Sequence, residues 1–207
     1  ALKNAGIANQ RITQTVSLLG LMVALKIFWA PALTFLGRTR RLILISQVAM
    51  TMLLVVLAFV ISPICFSITA IIFCLILLSL CSAAHDFLID GYYVSSLGSE
   101  QRARHSGLLS FASKLGQVLA GPGLIGFAGY LLTENQSVNT AWSIAIGLTA
   151  LATLLIVLLM YLGFKNESPE THTLSSPREK LSEISSSLSS LLRDSRTPVI
   201  LGLIFFY

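Results

Sequence analysis

The chain has 207 residues, 55% of them hydrophobic and 11% charged, with a formal net charge of +5 and a mean hydropathy of +0.81. A soluble domain carries roughly 25% charged residues, so a globule surrounded by water is excluded and the chain is expected in a bilayer. Its basic residues fall in short segments between apolar runs, where they orient membrane helices, and no basic face is left for nucleic acid.

A spanning helix needs about 20 mainly apolar residues. Five stretches meet this in chain order: 12–36, 42–61, 64–94, 105–132 and 141–164. Together they predict an all-α transmembrane bundle over residues 1–164. The third stretch is long for one crossing and is expected to tilt or to project past the bilayer. Residues 165–197 are polar and serine-rich and read as a linker. Within it, Leu181, Ile184, Leu188 and Leu191 recur at helical spacing, which predicts an amphipathic surface helix over 178–194. Residues 198–207 read as the start of a further span. The chain opens without methionine and stops within that apolar run, so it is expected to be a piece of a longer membrane protein.

The connecting segments alternate in charge. Segment 37–41 holds Arg38, Arg40 and Arg41, segment 95–104 holds Arg102 and Arg104, and 165–197 holds two lysines and three arginines. Segments 62–63 and 133–140 hold no basic residue. Basic segments stay in the cytoplasm, which places 37–41, 95–104 and 165–197 inside and residues 1–11 and 133–140 outside. Cys65, Cys74 and Cys81 lie in apolar sequence at no framework spacing and are expected to be free.

The residues that stand out are ionisable groups within or beside the spans. Lys26 sits near the middle of the first stretch. His85, Asp86 and Asp90 close the third, in the run HDFLIDGYYV. Such a group costs at least ~2.5 kcal/mol at a helix centre and normally faces a cavity or a partner. Asp86, Asp90 and Tyr93 share one helical face, while His85 falls about 100° away with Ile89 and Tyr92. Two readings of the carboxylates follow. They lie in the headgroup zone and pair with nearby arginines, or they form a proton-responsive pair facing substrate. Mutual repulsion and apolar surroundings favour protonation in the second case. Lys26 likewise either snorkels to the interface or holds an anionic substrate group.

In the fourth stretch Ala112, Gly116 and Ala120 recur every four residues and suit close helix packing. Gly121, Pro122 and Gly123 are expected to kink it, either for helix packing or as a hinge. No metal-ligand spacing and no nucleophile elbow occurs, and His105 and His172 are isolated. Neither an enzyme nor a cofactor or metal is expected.

Two runs, LGLMVALKIFWAPALTFLGRTRR and LCSAAHDFLIDGYYVSSLGSEQRARHSGLLSFASKLGQVLAG, resemble the AmpG-type muropeptide permeases of the major facilitator superfamily. The first matches that family's lysine-phenylalanine-tryptophan-x-proline run and arginine-rich turn through Lys26, Phe28, Trp29, Pro31, Gly37, Arg38, Arg40 and Arg41. The second matches its paired-aspartate signature through Asp86 and Asp90, followed by Glu100 and Arg102. His85 stands where the family has glutamine, and Thr34 and Phe35 stand near its aspartate-arginine pair. The resemblance covers nearly the whole chain as helices two to six and the start of seven. It implies a partial N-terminal bundle lacking its first helix, with the other half of the same protein as its missing partner. It also implies a gate loop around Trp29 to Arg41 and a substrate cavity between the halves. The implied function is a symporter in the cell inner membrane that uses protons to carry a small molecule, the anhydro-muropeptides of cell-wall turnover, into the cytoplasm. Another carrier of the same superfamily (acetyl-CoA-like, sugar or peptide) and a non-transporting membrane subunit stay open as alternatives.

Overall fold

The computed structural model describes residues 39–134 and 136–165, together with Thr13, Gln14, Ser17, Gly20, Leu21, Lys26–Trp29 and Leu33. Most of 12–36, the linker with its expected helix at 178–194 and the expected span start at 198–207 lie outside the described residues.

The described chain is helical, with no strand among the described residues. A short helix α1 covers Lys26–Trp29. Helix α2 spans Thr39–Ile61 and α3 spans Ile68–Ser96. Helix α4, Ser99–Val118, continues through a π-helical turn at Leu119–Gly123 into α5, Leu124–Thr133. Helix α6 spans Val138–Lys165. Four of these units are long and apolar enough to cross a membrane: Thr39–Ile61, Ile68–Ser96, Glu100–Thr133 and Val138–Phe164. They coincide with the second to fifth expected stretches, with ends shifted by a few residues. Thr39, Arg40 and Arg41 belong to the first turn of α2 rather than to a loop, and Glu100, Arg102 and Arg104 belong to the start of α4.

The boundaries have local causes. Pro63 cannot continue α2. The Ser62 hydroxyl donates to the Phe59 carbonyl at 2.6 Å, and the Cys65 amide donates to Ser62 at 3.3 Å, which closes the turn. Ser67 is extended and its hydroxyl accepts from the Ala70 amide, capping α3. At 29 residues α3 is about 44 Å long, which exceeds the ~30 Å hydrocarbon core. The Gly98 amide donates to the Gln101 side chain at the start of α4, and Glu100 lies in that first turn, where negative charge is favoured. Ser137 caps α6 by accepting from the Thr140 amide at 3.2 Å.

The π turn falls on the Gly121-Pro122-Gly123 sequence. Proline supplies no amide hydrogen to the ladder, and the turn widens around the gap. A Cβ on Gly123 would lie 3.3 Å from the Val118 carbonyl oxygen, so this glycine suits the widened turn.

Helix α2 is the centre of the described bundle and packs against both α3 and α6. Leu57, Ala58, Ile61, Ile71, Cys74 and Ile146 form its core, bordered by Trp142. Ala141, Ala145 and Ala150 are buried on α6, where their small size lets helices approach closely. The Ser143 hydroxyl donates to the Ala58 carbonyl at 2.6 Å, Thr51 bonds Thr153 at 3.3 Å, and Arg40 meets Phe164. These pairings run in opposite order along the two helices, so α2 and α6 are antiparallel over their full contact. Helix α5 packs on α6, whereas α4 is exposed along its length, including Leu108, Phe111 and Leu115. All three cysteines are free.

Candidate functional site

Helix α3 carries two polar faces that do different work. His85 and Tyr92 are seven residues apart and point toward α2. The His85 Nδ1 lies 2.9 Å from the Ser46 hydroxyl. That hydroxyl also lies 2.9 Å from the Ile43 carbonyl, to which it donates. Ser46 thus joins α2 to α3 through His85.

Tyr92 takes part in a second link nearer the same helix ends. The Arg40 guanidinium stacks over the Tyr92 ring at 5.7 Å and the Phe164 ring at 6.0 Å. The two rings meet edge to face, with centroids 5.6 Å apart. One cation therefore ties the start of α2 to the last turns of α3 and α6. Arg41, one residue on, is exposed, so neighbouring arginines have separate roles.

The other face of α3 bears Asp86 and Asp90, one turn apart and both exposed. Among the described residues neither forms an ion pair, with Lys26 or with any arginine. Tyr93 shares their face, but its hydroxyl donates to the Arg102 carbonyl at 3.0 Å rather than to a carboxylate. It fastens the end of α3 to the start of α4. Lys26 and Trp29 are half-buried on α1, which packs on α3. The structure thus sets the lysine-bearing helix against the acid-bearing helix without joining their charges. Pro31, Gly37 and Arg38 lie outside the described residues.

Gly116 and Gly121 have open space where a Cβ would stand, and the Ala112, Gly116, Ala120 stripe is exposed. Among the described residues no helix packs into it. No group of three metal-ligating side chains occurs among the described residues.

Sequence reasoning passed over Ser46, Gln47 and Phe164. Gln47 is buried and its Oε1 has no hydrogen-bond partner among the described residues. The adjacent Ser46 and Gln47, with Thr51 one turn on, interrupt a mostly apolar run in α2. That interruption is a usable signal, because polar groups inside a span seek partners on neighbouring helices.

The described bundle is a set of apolar helices with a tied basic end and an unpaired acidic face. The sequence pattern of the Major Facilitator Superfamily matches residues 5–207. The chain belongs to that superfamily. No curated protein and no solved structure matches it. Membership makes it a multi-pass membrane protein and a secondary transporter of the facilitator kind, which moves a small molecule across the bilayer rather than transforming it.

Proposed function

We propose that this facilitator is a proton-driven symporter for anhydro-muropeptides in the cell inner membrane, with Asp86 and Asp90 as its proton-exchanging pair. The observation that carries the reading is the placement of these carboxylates. They lie one turn apart, near the end of an apolar helix, on the face turned away from α2, with no cation beside them among the described residues. A carboxylate in such a place is stabilised by water, by a proton or by substrate. Proton uptake and release there can drive a change of state. Lys26, on the helix packed against α3, is the proposed cationic contact for an anionic substrate group, and His85 offers its imidazole as a hydrogen-bonding group. The resemblance of the Lys26-to-Arg41 run and the paired aspartates to muropeptide permeases supports the substrate class. The basic starts of α2 and α4 and the end of α6 face the cytoplasm in this reading, as the arginine distribution favours.

Uptake into membrane vesicles tests the proposal. Vesicles from cells expressing the full chain are expected to accumulate labelled anhydro-muropeptide when an inward proton gradient is imposed, and to lose accumulation with a protonophore. Accumulation of a sugar, a peptide or an acyl-CoA in its place would transfer the protein to another carrier class. Accumulation of anhydro-muropeptide that ignores the proton gradient would remove the coupling.

A further inference from the structure

The flank of α2 and α6 holds a cavity of about 420 Å³, within the range of ligand pockets (roughly 300–1,000 Å³). Its walls include Leu44 and Val48 from α2, and Leu154, Leu158 and Tyr161 from α6. Apart from the tyrosine every lining side chain is aliphatic. The two helices are tied at Thr51–Thr153 and again at Arg40–Phe164. The cavity occupies the stretch of about 16 Å between those ties, so its walls are fixed at both ends.

We propose that this groove is a binding site for one anionic phospholipid, with an acyl chain between α2 and α6 and the phosphate headgroup at Arg41. The argument is complementarity along one stripe of α2. Arg41, Leu44 and Val48 stand at i, i+3 and i+7 and share a face. The stripe therefore runs from a cation to an apolar slot, in the order in which a phospholipid runs from phosphate to chain. Arg41 is exposed and makes no ion pair among the described residues, whereas Arg40 is held by two rings. Tyr161 is exposed at the same end of α6, and tyrosine is favoured where hydrocarbon meets headgroup. Basic sites between membrane helices on the cytoplasmic side attract anionic headgroups. The leaflet assignment rests on the topology proposed above, but the affinity of the groove for an anionic lipid does not.

The test is native mass spectrometry of the full chain, purified in mild detergent and titrated with phosphatidylglycerol and phosphatidylcholine of identical chains. Phosphatidylglycerol is expected to be retained about fivefold better, the effect of one basic residue at an anionic surface. Arg41→Gln should bring that ratio close to one, and Arg41→Lys should keep it. Val48→Trp, which fills the slot, should lower retention of both lipids. Leu158→Phe should do the same more mildly, and it covers the case in which the tryptophan variant does not fold. Equal retention of the two lipids, or a preference that survives Arg41→Gln, would overturn the headgroup assignment. Unchanged retention in both slot variants would overturn the groove, as would a second copy of the chain occupying it. Orientation is read separately by impermeant labelling of a cysteine at Ser137, so a failed topology and a failed lipid site give different results.

Discussion

The hydrogen bond between Ser46 and His85 makes an unequal demand on its two partners, and the inequality can be measured. Ser46→Ala removes the oxygen that lies 2.9 Å from Nδ1 and leaves a half-buried ring nitrogen without that partner. An unmet buried group costs about 1–3 kcal/mol. His85→Leu removes the imidazole, yet Ser46 keeps its own bond to the Ile43 carbonyl, so this variant should cost under about 1 kcal/mol, the net worth of an ordinary interhelical bond in membranes. The double variant leaves no unmet ring nitrogen and should cost less than the two single changes added together. A coupling of about 0.6–1.7 kcal/mol is expected, the range found for such bonds in bilayers. Reversible unfolding in mixed detergent micelles, followed by tryptophan fluorescence, gives the four free energies. A coupling below ~0.3 kcal/mol lies within the additivity of independent sites and would refute the bond as a link between α2 and α3. So would a His85→Leu cost larger than that of Ser46→Ala.

Arg40→Ala should destabilise the bundle by about 1–2 kcal/mol, since two aromatic rings each contribute roughly 0.5–1 kcal/mol to a stacked cation. Phe164→Leu should remove about half of that, and thermal unfolding in detergent checks both. Gly123→Ala places a Cβ 3.3 Å from the Val118 carbonyl; unfolding should show a loss on the order of 1 kcal/mol, the usual scale for single changes at a special backbone site. For topology, a cysteine at Ser137 should react with an impermeant reagent on intact cells, whereas one at Ser96 should react only after permeabilisation.

The spans were legible in the sequence because hydropathy is a sum over some 20 residues and tolerates local errors. The place of the π turn was legible because glycine-proline-glycine interrupts the backbone ladder whatever surrounds it. The separation of His85 from the Asp86–Asp90 face was also legible, as it follows from 100° per residue. The partners were not. Arg38, Arg40 and Arg41 look alike in sequence, and only the packing of α2 between α3 and α6 aims Arg40 at Tyr92 and Phe164 while leaving Arg41 exposed. Tyr93 shares a helical face with both carboxylates, which in sequence alone makes it a neighbour of either. The chain reverses at Gly98, however, and brings the Arg102 carbonyl within 3.0 Å of its hydroxyl. Ser46 escaped notice because a hydroxyl in a span can always satisfy itself on its own helix. Its second contact depends on the register of α2 against α3, which no local pattern encodes.

The most direct test of the account is proton-coupled accumulation in Asp86→Asn and Asp90→Asn variants of the full chain. Asparagine keeps the size and polarity of aspartate and removes its ionisation. Two modes should be measured in the same vesicles: uphill uptake of anhydro-muropeptide driven by an imposed pH gradient, and gradient-free exchange of labelled for unlabelled substrate. The account predicts that at least one variant loses uphill accumulation while exchange persists, because binding survives when the proton site is gone. If both variants accumulate substrate with the wild-type dependence on pH, the two aspartates only cap a helix at the membrane edge, and proton coupling through α3 is contradicted.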